Sequence, residues 1–144
     1  MVIVDGVSLS LLRKLDDLGI DLIFAEIERS GFYLPKQNTI VINSKLLNSH
    51  NIDFAIAHEL SHCLNAHYKY DCLYNNSYTY RVKMENEANM TAIKILIDIY
   101  IEETGLDIDQ LNAIKIMDYY GIDYKYIDVI KNIIINYCSN IVYL

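Results

Sequence analysis

The chain has 144 residues, enough for one domain to bury a core without disulfide or metal staples, and its 53% apolar and 22% charged content excludes a disordered chain. A net charge of −7, with acids scattered along the chain, opposes binding to nucleic acid or anionic membrane, both of which require clustered Lys and Arg. Cys63, Cys72 and Cys138 form no C-x-x-C pair, which argues for reduced thiols and leaves a metal-ligand role open for Cys63 or Cys72.

In chain order, the N-terminal stretch MVIVDGVSLSLLRKLDDLGI lacks a basic start and carries Asp5 early, unlike a secretory signal. A helix is predicted over 8–18, with Leu9, Leu11, Leu12, Leu15 and Leu18 forming a broad apolar stripe. IDLIFAEI and GFYLPKQNTIVIN read as two or three short strands, with turn chemistry at Gly31 and in PKQN. From about Asn51 the pattern is helical, over 52–68, 79–103, 108–120 and 124–137, with breaks at Gly105 and Gly121. The apolar runs IKILIDIYI and VIKNIIINY are interrupted by Lys94, Asp98, Lys131 and Asn132 and fall short of the ~20 residues of a membrane span. The expectation is a cytoplasmic α+β protein with a single domain over 1–144. A small N-terminal β-sheet packs on a mostly helical body, whose C-terminal part begins near 105.

Three of the four histidines lie in FAIAHELSHCLNAH, Phe54 to His67. Within it, His58-Glu59-Leu60-Ser61-His62 is an H-E-x-x-H arrangement, which this composition would yield by chance about 0.005 times. On a helix, residues four apart share one face with Cβ atoms ~5–6 Å apart, so both imidazoles reach one ion. Glu59 is turned ~100° from His58, near enough to act on a water at the metal without ligating it. Metal-assisted hydrolysis needs this set: His58 and His62 as ligands, Glu59 as general base. His67, nine residues after His58, falls ~180° around a continuous helix and is expected to be structural rather than a ligand.

The third ligand is sought on the next helix, in MENEANMTAIKILI. Glu85 shares a face with Ala88, Asn89, Ala92, Ile95, Leu96 and Ile99, whereas Glu87 falls with Thr91, Lys94 and Asp98 on a solvent face. A carboxylate on an inward face needs a partner or a metal, which points to Glu85. Asn89, one turn on, is placed to accept the free ring N–H of a ligating histidine.

These residues resemble the ImmA/IrrE metallo-endopeptidases: FAIAHELSHCLNAH, preceded by NTIVINSKLL and followed by ENEAN, is similar to that family from roughly Thr39 to Leu96. Ser61 stands where the family usually has glycine, and MTAIKILID replaces its usual Phe-Ala and Leu-Met-Pro continuation. The resemblance implies a zincin-like fold, one Zn2+ per chain on His58, His62 and Glu85, Glu59 as base, and Asn89 behind a ligand. It also implies a cytosolic protein of phage or mobile-element type that cleaves a transcriptional regulator, a helix-turn-helix repressor above all. The alternative is an antirepressor that binds and sequesters its repressor, with the metal structural. His and carboxylate ligands also suit Mn and Fe.

An oxyanion donor is also needed, and HYKYDCLYNNSYTY holds five candidates: Tyr68, Tyr70, Tyr74, Tyr78 and Tyr80. The last third has the rhythm of two helices about a glycine turn, but over 107–133 it carries five Asp, three Lys and no Arg. A recognition helix without cations lacks phosphate contacts, so packing or docking of a protein partner is expected there rather than DNA binding.

Overall fold

The computed structural model describes residues 1–142. Helix α1 (Leu9–Asp17) starts where the Ser8 hydroxyl accepts from the Leu11 N–H, and it buries Leu11, Leu12 and Leu15. Leu9 and Leu18, expected on the same stripe, are largely exposed at the two ends of the helix.

Three strands follow: β1 (Asp21–Ala25), β2 (Gly31–Leu34) and β3 (Thr39–Asn43). Their order is β1-β3-β2, with β1 parallel and β2 antiparallel to β3. The β2–β3 turn closes with the Asn38 N–H donating to Pro35 O, and Asn38 takes φ 47°, a conformation Asn tolerates. Central β3 is buried from Thr39 to Ile42. The outer edge of β2 has no strand partner among the described residues.

Helix α2 (Ile52–Leu64) lies across this sheet and packs on α4 (Tyr78–Thr104), the 27-residue spine of the molecule. Between them, residues 67–70 form a 3-10 turn and Asp71–Asn76 form α3. The predicted helix over 52–68 is thus too long. Ala66 adopts φ 55° without being glycine, and the chain turns back on itself there.

Gly105, in the left-handed conformation, ends α4. The last two helices begin later than the apolar pattern implies, because Asn112 caps α5 (Ala113–Tyr120) and a 3-10 turn capped by Asp123 precedes α6 (Ile127–Val142). Gly121, with φ 64°, ends α5 against α2; a Cβ there would lie 2.7 Å from the His50 ring.

Two apolar clusters meet at α2 and α4. One joins Leu11, Leu15, Ile40 and Ile42 to Ile56, Leu60, Ile95 and Ile99. The other joins Ala57, Ala92, Leu96 and Ile97 to Ile116, Met117, Tyr120 and Ile130. Each fully buried Leu or Ile contributes about 1.5–3 kcal/mol. Ala57, Ala88 and Ala92 are small enough for α2 and α4 to approach closely, and this approach sets the spacing of the side chains they share. No helix among the described residues is long and apolar enough to cross a membrane.

Candidate metal centre

Helical periodicity places His58 and His62 on one face of α2, and their Nε2 atoms stand 3.1 Å apart. Glu85 enters from the facing turn of α4, with Oε2 at 2.9 Å from His58 Nε2 and Oε1 at 3.2 Å from His62 Nε2. The three residues form a group that could hold a metal ion, with ligand atoms all within 4.8 Å of one another. Three donors about 2.0–2.1 Å from a tetrahedral ion lie about 3.3 Å from each other, close to the separations found here. The donor chemistry fits as well: two imidazole edges and one carboxylate face the same point.

Each ring is held from behind. His58 Nδ1 lies 2.7 Å from Asn89 Oδ1, and the Asn89 amide in turn donates to the Tyr126 hydroxyl at 2.7 Å, which fixes the orientation of the amide. His62 Nδ1 lies 2.8 Å from His67 Nδ1, and His67 Nε2 is 2.9 Å from Glu87 Oε2. His67 is therefore outside the donor cluster, as its place in the sequence suggests, but it is not an incidental packing residue. The left-handed Ala66 ends the helical phase that put it on the far side. Glu87 is exposed, as its helix face requires, and its carboxylate nevertheless engages His67.

Burial pushes the Glu85 carboxyl up, and hydrogen bonds from His58, His62 and Tyr74 outweigh it, holding it well below the usual carboxylate range. Burial lowers His58, but Glu85 and Glu59 draw its pKa above the ordinary value. Glu59 is 4% exposed, and burial raises its carboxyl against the pull of His58, His62 and Arg29. Gly31 presses on the Glu59 stem: a Cβ at Gly31 would sit 3.2 Å from Glu59 Cγ and 2.8 Å from Val41 O. The glycine thus supplies close approach rather than a turn.

Of the five tyrosines, Tyr74 reaches the cluster, donating to Glu85 Oε1 at 2.7 Å with its ring edge-on to His62. Burial and Glu85 push its hydroxyl up to about 12, so it keeps its proton at neutral pH. Cys63 is a free thiol outside the donor group, and Cys138 is free and exposed. The Cys72 side chain lies outside the described residues. A cavity of about 230 Å³ opens beside the donors, lined by Glu59, His62 and Tyr74 and by Arg29, Phe32 and Tyr33. A larger groove of about 610 Å³, between the N-terminal segment, α1 and β1, has only Asp16 and Asp21 as ionisable side chains, and so holds no catalytic set.

Tyr126 and Arg29 are site residues that the sequence did not single out, and the contact of His67 with His62 was likewise not foreseen. Tyr126 and Arg29 carry no local signal, and His67 carried one that a continuous helix contradicted.

A pair of helix-borne histidines, a carboxylate from a second helix and a buried glutamate at a shared cavity define a metallopeptidase-type site. The peptidase family M78, described as the IrrE N-terminal-like domain, matches residues 15–129, and the chain belongs to this family. No curated protein and no solved structure matches it.

Proposed function

We propose that the protein is a zinc-dependent endopeptidase acting on a specific cytosolic protein, a helix-turn-helix repressor of a phage or mobile element. The observation that carries the peptidase reading is the convergence of His58, His62 and Glu85 on one point beside buried Glu59. His58, His62 and Glu85 would hold the zinc, which would supply Lewis-acid activation of the attacking water and of the scissile carbonyl. Glu59 takes the proton of the attacking water and delivers it to the leaving amine. Tyr74, the nearest protonated hydroxyl, donates to the carbonyl oxygen as it gains charge. Asn89 and His67 hold the two rings in place, so that the ligand edges need not reorganise when substrate enters. An extended peptide adds to the open edge of β2 and thereby lies along the cavity. The substrate class rests on the family resemblance.

The test is co-expression with a helix-turn-helix repressor of the same phage or mobile element, wild type against Glu59→Gln, reading repressor fragments and the zinc content of both purified proteins. Cleavage by wild type alone, with zinc in both, is expected. Intact repressor that co-purifies equally with both overturns the peptidase reading in favour of sequestration. Repressor that neither binds nor is cut overturns the substrate assignment.

A further inference from the structure

Arg29 lies in the loop between β1 and β2, and nearly everything around it serves to hold it still. The Asn43 side-chain amide donates to Ile27 O at 2.9 Å and to Arg29 O at 3.2 Å, while the Asn43 N–H donates to Ser30 O at 2.8 Å. The loop backbone is thereby fixed to the end of β3. Arg29 Nε donates to Gly31 O at 3.0 Å, and the guanidinium carbon sits 5.7 Å from the centre of the Phe32 ring. These contacts occupy one N–H and one face of the guanidinium and leave its terminal nitrogens without a partner among the described residues.

The chain has 19 Asp and Glu residues, yet among the described residues no carboxylate pairs with Arg29. Arg29 lines the same cavity as Glu59, His62 and Tyr74, and its charge is felt at both Glu59 and Tyr74. With a divalent ion in place, the formal charges of ion, Arg29, Glu59 and Glu85 are +2, +1, −1 and −1, which leaves the cavity positive by one. A preorganised, unpaired guanidinium on a positive, aromatic-walled cavity is matched by a carboxylate, which its planar fork binds bidentately.

We propose that Arg29 is a specificity residue that receives a substrate carboxylate, so that the bond cleaved lies next to an acidic side chain or a chain-terminal carboxylate. This rests on the peptidase reading above, because the cavity is a subsite only if the metal keeps an open position.

The experiment is titration of the zinc-loaded protein with dipeptide hydroxamates, which anchor on the metal and need no turnover. Four probes share one scaffold: Glu, Gln and Lys with amidated termini, and Gln with a free terminal carboxylate. At least one carboxylate probe is expected to bind about tenfold more tightly than the neutral one, and which of them gains identifies the source. The gap should close in Arg29→Gln and reverse in Arg29→Glu, which should prefer a Lys probe, with zinc content unchanged in both. Zinc-dependent binding of all probes with equal affinity overturns the assignment of Arg29 and leaves the peptidase reading standing. Failure of every hydroxamate to bind zinc-loaded protein overturns the open-position reading and this inference with it.

Discussion

Replacing Asp53 with Asn is expected to stabilise the protein above neutral pH and to make almost no difference in acid. Asp53 lies in the first turn of α2, is 8% exposed, and accepts the Ser8 N–H at 3.0 Å. Burial raises its carboxyl, the Ser8 bond pulls it down, and Glu103 raises it again, taking it from 3.8 to about 6. The Tyr120 hydroxyl, raised in turn by burial and by Asp53 and Glu103, is buried with no hydrogen-bond partner among the described residues and does not donate to it. A carboxyl that holds its proton more tightly in the folded chain contributes stability below the unfolded pKa, near 4. That contribution is lost as pH rises through the folded pKa, near 6. A shift of about two units, at 1.36 kcal/mol each, withholds about 3 kcal/mol at pH 7, and the favourable helix N-terminus offsets up to about 1 kcal/mol of it. Asn keeps an oxygen for Ser8 and has no charge to bury, so a gain of about 2 kcal/mol is expected at pH 7.5, shrinking towards zero near pH 4. Urea unfolding of both metal-free proteins at pH 4.5, 6 and 7.5 measures this, since titrations common to both cancel in the difference. A difference that does not vary with pH, or a variant less stable at pH 7.5, refutes the reasoning.

Three further outcomes follow from the site. His67→Phe keeps an aromatic ring, somewhat larger than the imidazole, but removes the contacts with His62 and Glu87, and should weaken zinc binding about 10–100-fold in competition with a chromophoric chelator. Unchanged affinity would mean that helix packing alone orients His62. Gly31→Ala should cost about 1–3 kcal/mol in thermal unfolding, because Val41 O cannot yield as the Ile42 side chain can, and should reduce turnover by displacing Glu59. Full stability with full turnover would show that the strand gives way freely. Tyr74→Phe should lower kcat by about 10²–10³ with zinc retained; zinc loss with unchanged kcat per bound zinc would reduce Tyr74 to a support for Glu85.

Features that depend on local periodicity were legible in the sequence. His58, Glu59 and His62 are fixed by spacing within one helix turn, and Glu85 and Asn89 by the apolar face they share on α4. The α+β architecture was also readable, because the β-branched run Ile40–Ile42 and the long helical patterns differ in period. Partners joined across the fold were not readable. Tyr126 meets Asn89 from 37 positions away, and Arg29 reaches the cavity through a loop whose shape depends on Asn43. The parallel pairing of β1 with β3 also left no trace in runs this short. The continuous helix expected over 52–68 fails for a sharper reason: a left-handed turn usually advertises itself by glycine or asparagine, and here alanine adopts it.

The run His62–His67–Glu87 has a direction. A ring whose Nε2 faces a metal carries its proton on Nδ1, so the His62 Nδ1–H points at His67 Nδ1, which must be bare. The proton of His67 then sits on Nε2 and is donated to Glu87 at the surface. The reverse order would place a proton on the His62 nitrogen that faces Glu85, and a doubly protonated His67 would set two N–H groups against each other. Only one arrangement of two protons over four ring nitrogens is compatible with an occupied centre, and the negative charge of Glu87 at the far end favours that arrangement. The polarity of the ligand is thus written from the outside of the protein inward.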